Sequence, residues 1–182
     1  ISEILDLAES KKYIQDEIAN RVCNINLMKT YAEHLRNIII KKNGSSKPFK
    51  NLKIIVDAGN GAGGFFVNDI LDPLGADTTG SQFLEPDGMF PNHIPDPENN
   101  SAIDSISHAV KANSADLGII FDTDVDRAGA VDSSGKPINR NRFIALMSYI
   151  ILKEYPNTTI VTDSVTSSSV KKWIEDLGGK HH

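Results

Sequence analysis

The sequence has little cysteine, few aromatic residues and no long apolar run. Cys23 is the only cysteine among 182 residues, so no disulfide can form within the chain. The longest apolar runs, such as residues 117–121, are far shorter than the roughly 18 to 20 residues of a membrane helix. No basic and apolar leader opens the chain. We therefore expect a cytoplasmic protein that does not associate with membranes.

Basic residues are also in the minority. The chain has 19 Lys and Arg against 24 Asp and Glu, a formal net charge of −5, and only 7% of its residues are aromatic. This balance is a poor match for nucleic acid, which we do not expect as a partner. The apolar content of 40% is ordinary for a globular domain and excludes intrinsic disorder. Because the chain begins at Ile1 and not at Met, we expect it to have been processed or to be a piece of a longer protein.

Short β-branched runs alternate with segments of helical periodicity. The runs predict strands at 53–58, 116–121, 128–131 and 159–162, with a weaker one at 76–82. Helical spacing predicts helices at 1–8, 26–41, 65–71, 102–113, 142–153 and 167–177. This alternation predicts an α/β fold: a three-layer α/β/α arrangement with a mixed, mostly parallel sheet, preceded by a helical segment. In the helix at 142–153, we expect the core face to comprise Phe143, Leu146, Ile150 and Ile151.

Residues 85–100 contain four prolines, too many for a regular element. An irregular segment of this length inside a domain is typically a functional or interface loop. We call residues 85–100 the proline loop. We expect its histidine, His93, to lie at a domain interface.

The strongest candidate site is an acidic motif directly after the apolar run at 117–121. Asp122, Asp124 and Asp126 alternate with other residues, so their carboxylates can converge on one point. Carboxylates held that close repel each other, and either a cation or raised pKa values must relieve the repulsion. Hard oxygen ligands favour Mg²⁺, Mn²⁺ or Ca²⁺ over zinc. The alternative is an acidic hairpin turn in water.

Two further interpretations of the acidic motif can be compared by position. An EF-hand requires Gly at its sixth position and Glu at its twelfth, where this chain has Arg127 and Ser133, so that interpretation fails. A phosphatase of the haloacid dehalogenase type, with Asp122 as nucleophile, also begins with a strand and Asp-x-Asp. Its pattern has Thr or Val at the fifth position, where this chain has Asp126. This interpretation stays open.

A glycine-rich turn offers a different function. Gly59-x-Gly61-x-x-Gly64 follows a predicted strand and opens a helix, which is the context of dinucleotide binding. Asp77 lies 18 residues after Gly59, near the place expected for an acidic residue that binds ribose. The alternative is a tight turn that needs small residues. A non-catalytic nucleotide-binding α/β domain therefore stays open as well.

Four segments, in order, resemble the α-D-phosphohexomutases, the family of phosphoglucomutase and phosphomannomutase. Asp-Thr-Asp-Val-Asp-Arg at 122–127 resembles the family's metal loop, and residues 52–64 resemble the first strand and turn of its second domain. Glu-Pro-Asp-Gly-Met-Phe-Pro-Asn-His at 85–93 resembles its Pro-Asp-Gly-x-Phe-Pro-x-His loop. Residues 161–168 resemble the opening of its third domain. The match covers about 50–182 and is especially similar to plant-like members.

The resemblance implies specific roles and partners. Asp122, Asp124 and Asp126 would bind Mg²⁺ together with a phosphoserine from another domain, and Arg127 would be catalytic, holding the phosphoserine's charge. The full-length enzyme would be an intramolecular phosphotransferase that interconverts hexose 1-phosphate and hexose 6-phosphate through a bisphosphorylated sugar. Glucose 1,6-bisphosphate would be its activator. Its partners would be the hexose phosphate and the remaining domains of the polypeptide, and a plant-like member could reside in a plastid.

The resemblance also implies a domain organisation. Residues 1–25 would be a helical remnant of, or linker from, the first domain, residues 26–155 the metal-binding second domain, and residues 156–182 the start of the third. The family's Thr-Ala-Ser-His-Asn-Pro segment, which carries the nucleophilic serine, has no counterpart here. We expect the isolated chain to be inactive, and Ser167 to Ser169 to begin a helix. Many members have Gly where this chain has Thr123 and Val125, and we expect that difference to cost little.

Overall fold

A computed structural model describes residues 2–10 and 23–182. The helices are α1 (Ser2–Ser10), α2 (Leu27–Asn43), α3 (Asn100–Asn113), α4 (Arg140–Glu154) and α5 (Ser168–Asp176). The strands are β1 (Ile54–Asp57), β2 (Leu117–Phe121), β3 (Ala128–Asp132), β4 (Thr159–Ile160) and β5 (Lys180–His181). A 3₁₀ turn, Ala62–Gly64, and a π-helix, Phe66–Leu71, follow β1. The helix expected at 65–71 is therefore present in a wider form.

The main sheet is mixed, as its sequence predicts. β1 pairs with β2 in parallel, and β2 pairs with β3 antiparallel. The weak strand expected at 76–82 contributes two isolated parallel bridges to the edge of β1, Lys53 with Asp77 and Asp57 with Gln82. β4 and β5 form a separate parallel pair. No described helix is both long and apolar enough to cross a bilayer.

Alternate residues of the strands bury their side chains against opposite layers. Ile55, Ile120 and Val131 pack on the apolar face of α3. Ile54, Val56 and Phe121 pack on the π-helix, and α2 covers the outer side of that helix through Ala32. The order is therefore α3, sheet, π-helix and then α2, which confirms the α/β/α arrangement. The proline loop contains no helix or strand before Asn100, also as predicted.

The expected core face of α4 is wrong. Phe143, Leu146 and Ile150 are 50%, 53% and 45% exposed. The buried residues of α4 are instead Ser148 and Leu152, because α4 packs on α5 and not on the three-stranded sheet. The periodicity identified the helix, but the apolar residues extend around too much of its surface to identify the buried side. The expected domain boundary at 155/156 stays a prediction.

The chain ends are simpler. The described part of the expected helical remnant is α1, which buries no residue, while residues 11–22 lie outside the described part. At α5, the Ser167 side chain accepts a hydrogen bond from the Ser169 backbone N–H. The serine run therefore begins a helix, as its sequence predicts.

One glycine fixes how closely the turn after β1 approaches the next segment. A Cβ atom on Gly64 would lie 1.9 Å from the Leu84 carbonyl oxygen, which belongs to the backbone and has little freedom to move. Only a residue without a side chain fits here. The contact holds the start of the π-helix against the segment that leads into the proline loop.

We expect Gly64→Ala to lower the free energy of unfolding by at least about 1–3 kcal/mol, the usual cost of forcing an extra group into a packed interior. Urea denaturation of the two proteins measures the difference. Gly88→Ala is the matched control, because nothing lies within 4 Å of a Cβ at that position. Equal stabilities of Gly64→Ala and the parent protein would contradict the importance of this contact.

Candidate functional site

The acidic motif forms the loop of a β-hairpin. β2 ends at Phe121 and β3 begins at Ala128, so residues 122–127 connect two antiparallel strands. The Asp122 N–H donates to the Arg127 carbonyl oxygen at 3.2 Å, and this bond closes the base of the loop. Phe121 anchors the end of β2 through an edge-on contact with Phe66, at 5.3 Å between ring centres. The loop therefore starts from a fixed point in the core.

Asp122 and Arg127 bind each other at two places. The Arg127 backbone N–H donates to Asp122 Oδ1 at 3.0 Å, and its Nε donates to Asp122 Oδ2 at 3.1 Å. Burial opposes ionisation of Asp122, but these bonds from Arg127 keep its pKa below the ordinary value. Asp122 is 2% exposed, with both oxygens hydrogen-bonded. This geometry argues against Asp122 as the exposed nucleophile of a phosphatase.

The three predicted carboxylates come together. Asp122, Asp124 and Asp126 each offer an oxygen within 4.8 Å of the others, with Asp122 buried and the other two exposed. A hydrogen bond between Asp126 and Asp122, together with repulsion from Asp122 and Asp124, raises the pKa of Asp126. In the absence of a cation, two of these carboxyl groups therefore tend to share a proton.

Arg127 does not balance the negative charge around it. Besides Asp122, its guanidinium contacts Asp96 at 3.0 Å and Asp126 at 3.7 Å. With Asp124, this makes four carboxylates against one guanidinium, a formal excess of three negative charges. Closely spaced carboxylate oxygens with an excess of negative charge suit a hard divalent cation. The residues present therefore fit Mg²⁺.

Val125 is strained, which corrects the expectation that its departure from Gly costs little. Its φ is +68°, in the left-handed region that glycine adopts freely and β-branched residues avoid. The cost for an L-residue in this region is about 1–2 kcal/mol. The turn at Val125 lies between Asp124 and Asp126 and brings their carboxylates to the same side.

The glycine-rich turn packs against the acidic loop. The Ala62 N–H donates to the Thr123 carbonyl oxygen at 2.8 Å, and a Cβ on Gly61 would lie 2.7 Å from that same oxygen. A Cβ on Gly59 would lie 2.8 Å from Pro95. These glycines, like Gly64, accommodate neighbouring protein segments. The turn is therefore a packing surface for two loops, which argues against the nucleotide-binding alternative.

A buried polar cluster behind this turn escaped the sequence analysis. Asp57 is fully buried, and His93 Nε2 lies 3.0 Å from Asp57 Oδ1. His93 was expected at a domain interface, but its side chain is 4% exposed and lies inside this α/β unit. The one available signal was the acidic residue that ends an otherwise apolar strand.

The family comparison agrees with the location of these features. The family model described as "Phosphoglucomutase/phosphomannomutase, alpha/beta/alpha domain II" matches residues 29–135. That range contains the glycine-rich turn, the proline loop and the acidic loop.

Similar proteins occur in several bacteria. A phosphoglucomutase of Neisseria meningitidis is 30% identical over 180 residues, which cover 99% of this chain and 37% of that protein. A phosphomannomutase/phosphoglucomutase of Pseudomonas putida is 35% identical over 137 residues, covering 75% of this chain and 29% of that protein. The chain thus spans about a third of the length of these relatives. The expected likeness to plant-like members stays a prediction.

Solved structures show the same fold. The X-ray structure of a phosphoglucomutase/phosphomannomutase family protein from Burkholderia thailandensis has a TM-score of 0.73 at 31% identity, covering 82% of this chain and 32% of that one. A Thermus thermophilus structure described as a phosphomannomutase has a TM-score of 0.68 at 20% identity, which supports the fold alone. With the family match over 29–135, these findings show that the chain belongs to the phosphoglucomutase/phosphomannomutase family.

Proposed function

We propose that the acidic loop is the magnesium centre of a phosphohexomutase. The observation that carries the proposal is the convergence of Asp122, Asp124 and Asp126 within 4.8 Å, inside the part of the chain that matches the family. One carboxylate oxygen from each residue would coordinate the ion. Bound Mg²⁺ supplies positive charge that neutralises a phosphoryl group during its transfer.

Arg127 supplies the second part of the proposed site. Its carboxylate partners raise its pKa despite a desolvation effect in the opposite direction, so it keeps its charge at all accessible pH values. Its side chain is 53% exposed, which leaves guanidinium hydrogens available to an incoming group. We propose that Arg127 binds the oxygens of a phosphoserine supplied by another domain, beside the metal. Bidentate pairing with phosphate is a characteristic use of arginine.

The whole protein would interconvert hexose 1-phosphate and hexose 6-phosphate, with a bisphosphorylated sugar as intermediate. In this proposal residues 1–25 connect to the first domain, residues 26–155 form the second, and residues 156–182 begin the third. The hexose phosphate and the remaining domains are its partners, and glucose 1,6-bisphosphate is its activator. The compartment proposed is the cytoplasm.

We expect the natural polypeptide to convert glucose 1-phosphate or mannose 1-phosphate to the 6-phosphate in the presence of Mg²⁺. The 182-residue chain should show no turnover, because the family's serine segment has no counterpart in it. A coupled assay for the 6-phosphate compares the two at equal concentration. Turnover by the 182-residue chain alone would overturn this division of roles.

Asp124→Asn tests the proposed ligands. Because it removes one of three anionic oxygens, we expect Mg²⁺ affinity to fall at least about tenfold, the lower limit for changes even outside the inner ligands. Isothermal titration of the natural polypeptide measures the affinity, and a mutase assay measures the matching loss of activity. Asp104→Asn is the control, because Asp104 is exposed on α3, away from the loop. Unchanged affinity in Asp124→Asn would contradict the assignment.

The raised pKa of Asp126 predicts a pH-dependent stability. Above that pKa the ionised group is destabilising, so without metal Asp126→Asn should melt at a higher temperature than the parent protein at neutral pH. As the pH falls through the pKa of Asp126, the parent protein takes up a proton and the difference should shrink. It should vanish below the ordinary aspartate value of 3.8.

Calorimetry of both proteins over this pH range measures the effect, again with Asp104→Asn as control. Saturating Mg²⁺ should raise the melting temperature of the parent protein more than that of Asp126→Asn, because the ion binds the native loop. A difference between the two proteins that stays constant with pH would contradict the proposed repulsion.

A further inference from the structure

We propose that the buried pair of Asp57 and His93 is a positioning device for Arg127, acting through Asp96 of the proline loop. The proposal rests on the proposed function, because it assigns the pair a role in preparing the phosphate-binding side chain. It concerns residues that lie outside the acidic loop and contact none of its carboxylates.

Asp57 is held on every side by donors from separate segments. Its carboxylate accepts from the Gly59 N–H at 2.9 Å, from Gln82 Nε2 at 2.8 Å and from Ser105 Oγ at 3.0 Å. His93 Nε2 completes the set at 3.0 Å and 3.1 Å from the two oxygens. A fully buried carboxylate is costly unless it is satisfied in this way. Asp57 therefore has a defined position relative to β1, α3 and the proline loop.

His93 transfers that position to the proline loop. Its Nδ1 lies 3.0 Å from the Ile94 carbonyl oxygen, and its ring contacts Phe83 edge-on at 5.4 Å between centres. Gly59 allows a close approach at this point, because a Cβ there would lie 3.1 Å from the His93 ring and 2.8 Å from Pro95. His93 and the buried Pro95 are thus packed directly against the turn after β1.

Asp96 is the next residue along the loop and reaches the proposed site. Its N–H donates to the Ile94 carbonyl oxygen at 2.9 Å, so its backbone continues the anchored segment. Its Oδ1 accepts from the Glu98 N–H at 3.0 Å and from Arg127 Nη1 at 3.0 Å. The guanidinium is therefore held by Asp122 at Nε and by Asp96 at Nη1.

These contacts form one path from the core to an exposed side chain. Arginine has many rotamers, and an Arg127 that is 53% exposed needs a second fixed partner to keep one orientation. Asp96 is that partner, and the only side chains that tie its segment into the interior at this point are those of the pair. Preorganised charge is effective in catalysis because it needs no rearrangement during the reaction.

A double-mutant cycle in the natural polypeptide tests the proposal. We expect His93→Ala to lower kcat about tenfold, since small misplacement of a binding group has effects of this size or larger. In an Arg127→Ala background, the same substitution should have no further effect. A purely structural role would give the same loss in both backgrounds and would overturn the proposal. His108→Ala, an exposed histidine on α3, should change neither.

A measurement that does not depend on activity separates this proposal from the proposed function. The Arg127 Nε–H resonance, followed by NMR, should exchange slowly with water in the parent protein and in His108→Ala, and quickly in His93→Ala. Slow exchange in His93→Ala would overturn the positioning role. A parent protein that shows this protected resonance but has no mutase activity would refute the proposed function alone.

Asp96→Asn provides the second variant, because Asp96 is partly exposed and its replacement leaves the buried pair intact. We expect it to reproduce the faster exchange of Arg127 Nε–H and the loss in kcat without lowering the melting temperature. If His93→Ala fails to fold, this variant decides the question. Unchanged exchange and kcat in Asp96→Asn would overturn the proposal.

Discussion

The repulsion among three carboxylates at the end of β2 is the constraint on which the rest of the site depends. Asp122, Asp124 and Asp126 would separate in a free peptide, since nothing in their local sequence draws them together. The fold opposes this with the hairpin bond at the base of the loop, the paired contacts between Asp122 and Arg127, and the strained backbone of Val125. Each of these costs conformational freedom. The loop is consequently prepared for a cation before one binds.

The other two segments act on this loop from behind. The glycine-rich turn lies against the Thr123 carbonyl, and the proline loop brings Asp96 to the guanidinium of Arg127. Both contacts need short distances between backbones, which explains why glycine occurs at Gly59 and Gly61. A spacing typical of phosphate binding is used here for contact between protein segments. The same small residues would serve either purpose, so the sequence pattern alone could not distinguish them.

Much of the fold could be predicted from the sequence, because buried strands have a distinctive composition. β1 and β2 were expected within one or two residues at each end, and the irregular proline loop was expected from its four prolines. The three aspartates of the loop were identified because their spacing is local. The direction in which α4 packs could not be predicted, since its apolar residues are spread around the helix and its partner is decided by tertiary contacts.

The pair of Asp57 and His93 shows the limit of local reasoning more clearly. The two residues are 36 positions apart, and neither belongs to a periodic pattern. Each alone has an ordinary interpretation, as the end of a strand and as a polar residue in a loop. Their relationship exists only after β1, the glycine-rich turn and the proline loop have packed together. A buried carboxylate that needs four donors from distant segments makes this packing specific, because a shift of any one segment leaves a charge unsatisfied in the interior. The polar cluster therefore selects one arrangement of the loops, and the orientation of Arg127 at the surface follows from that selection.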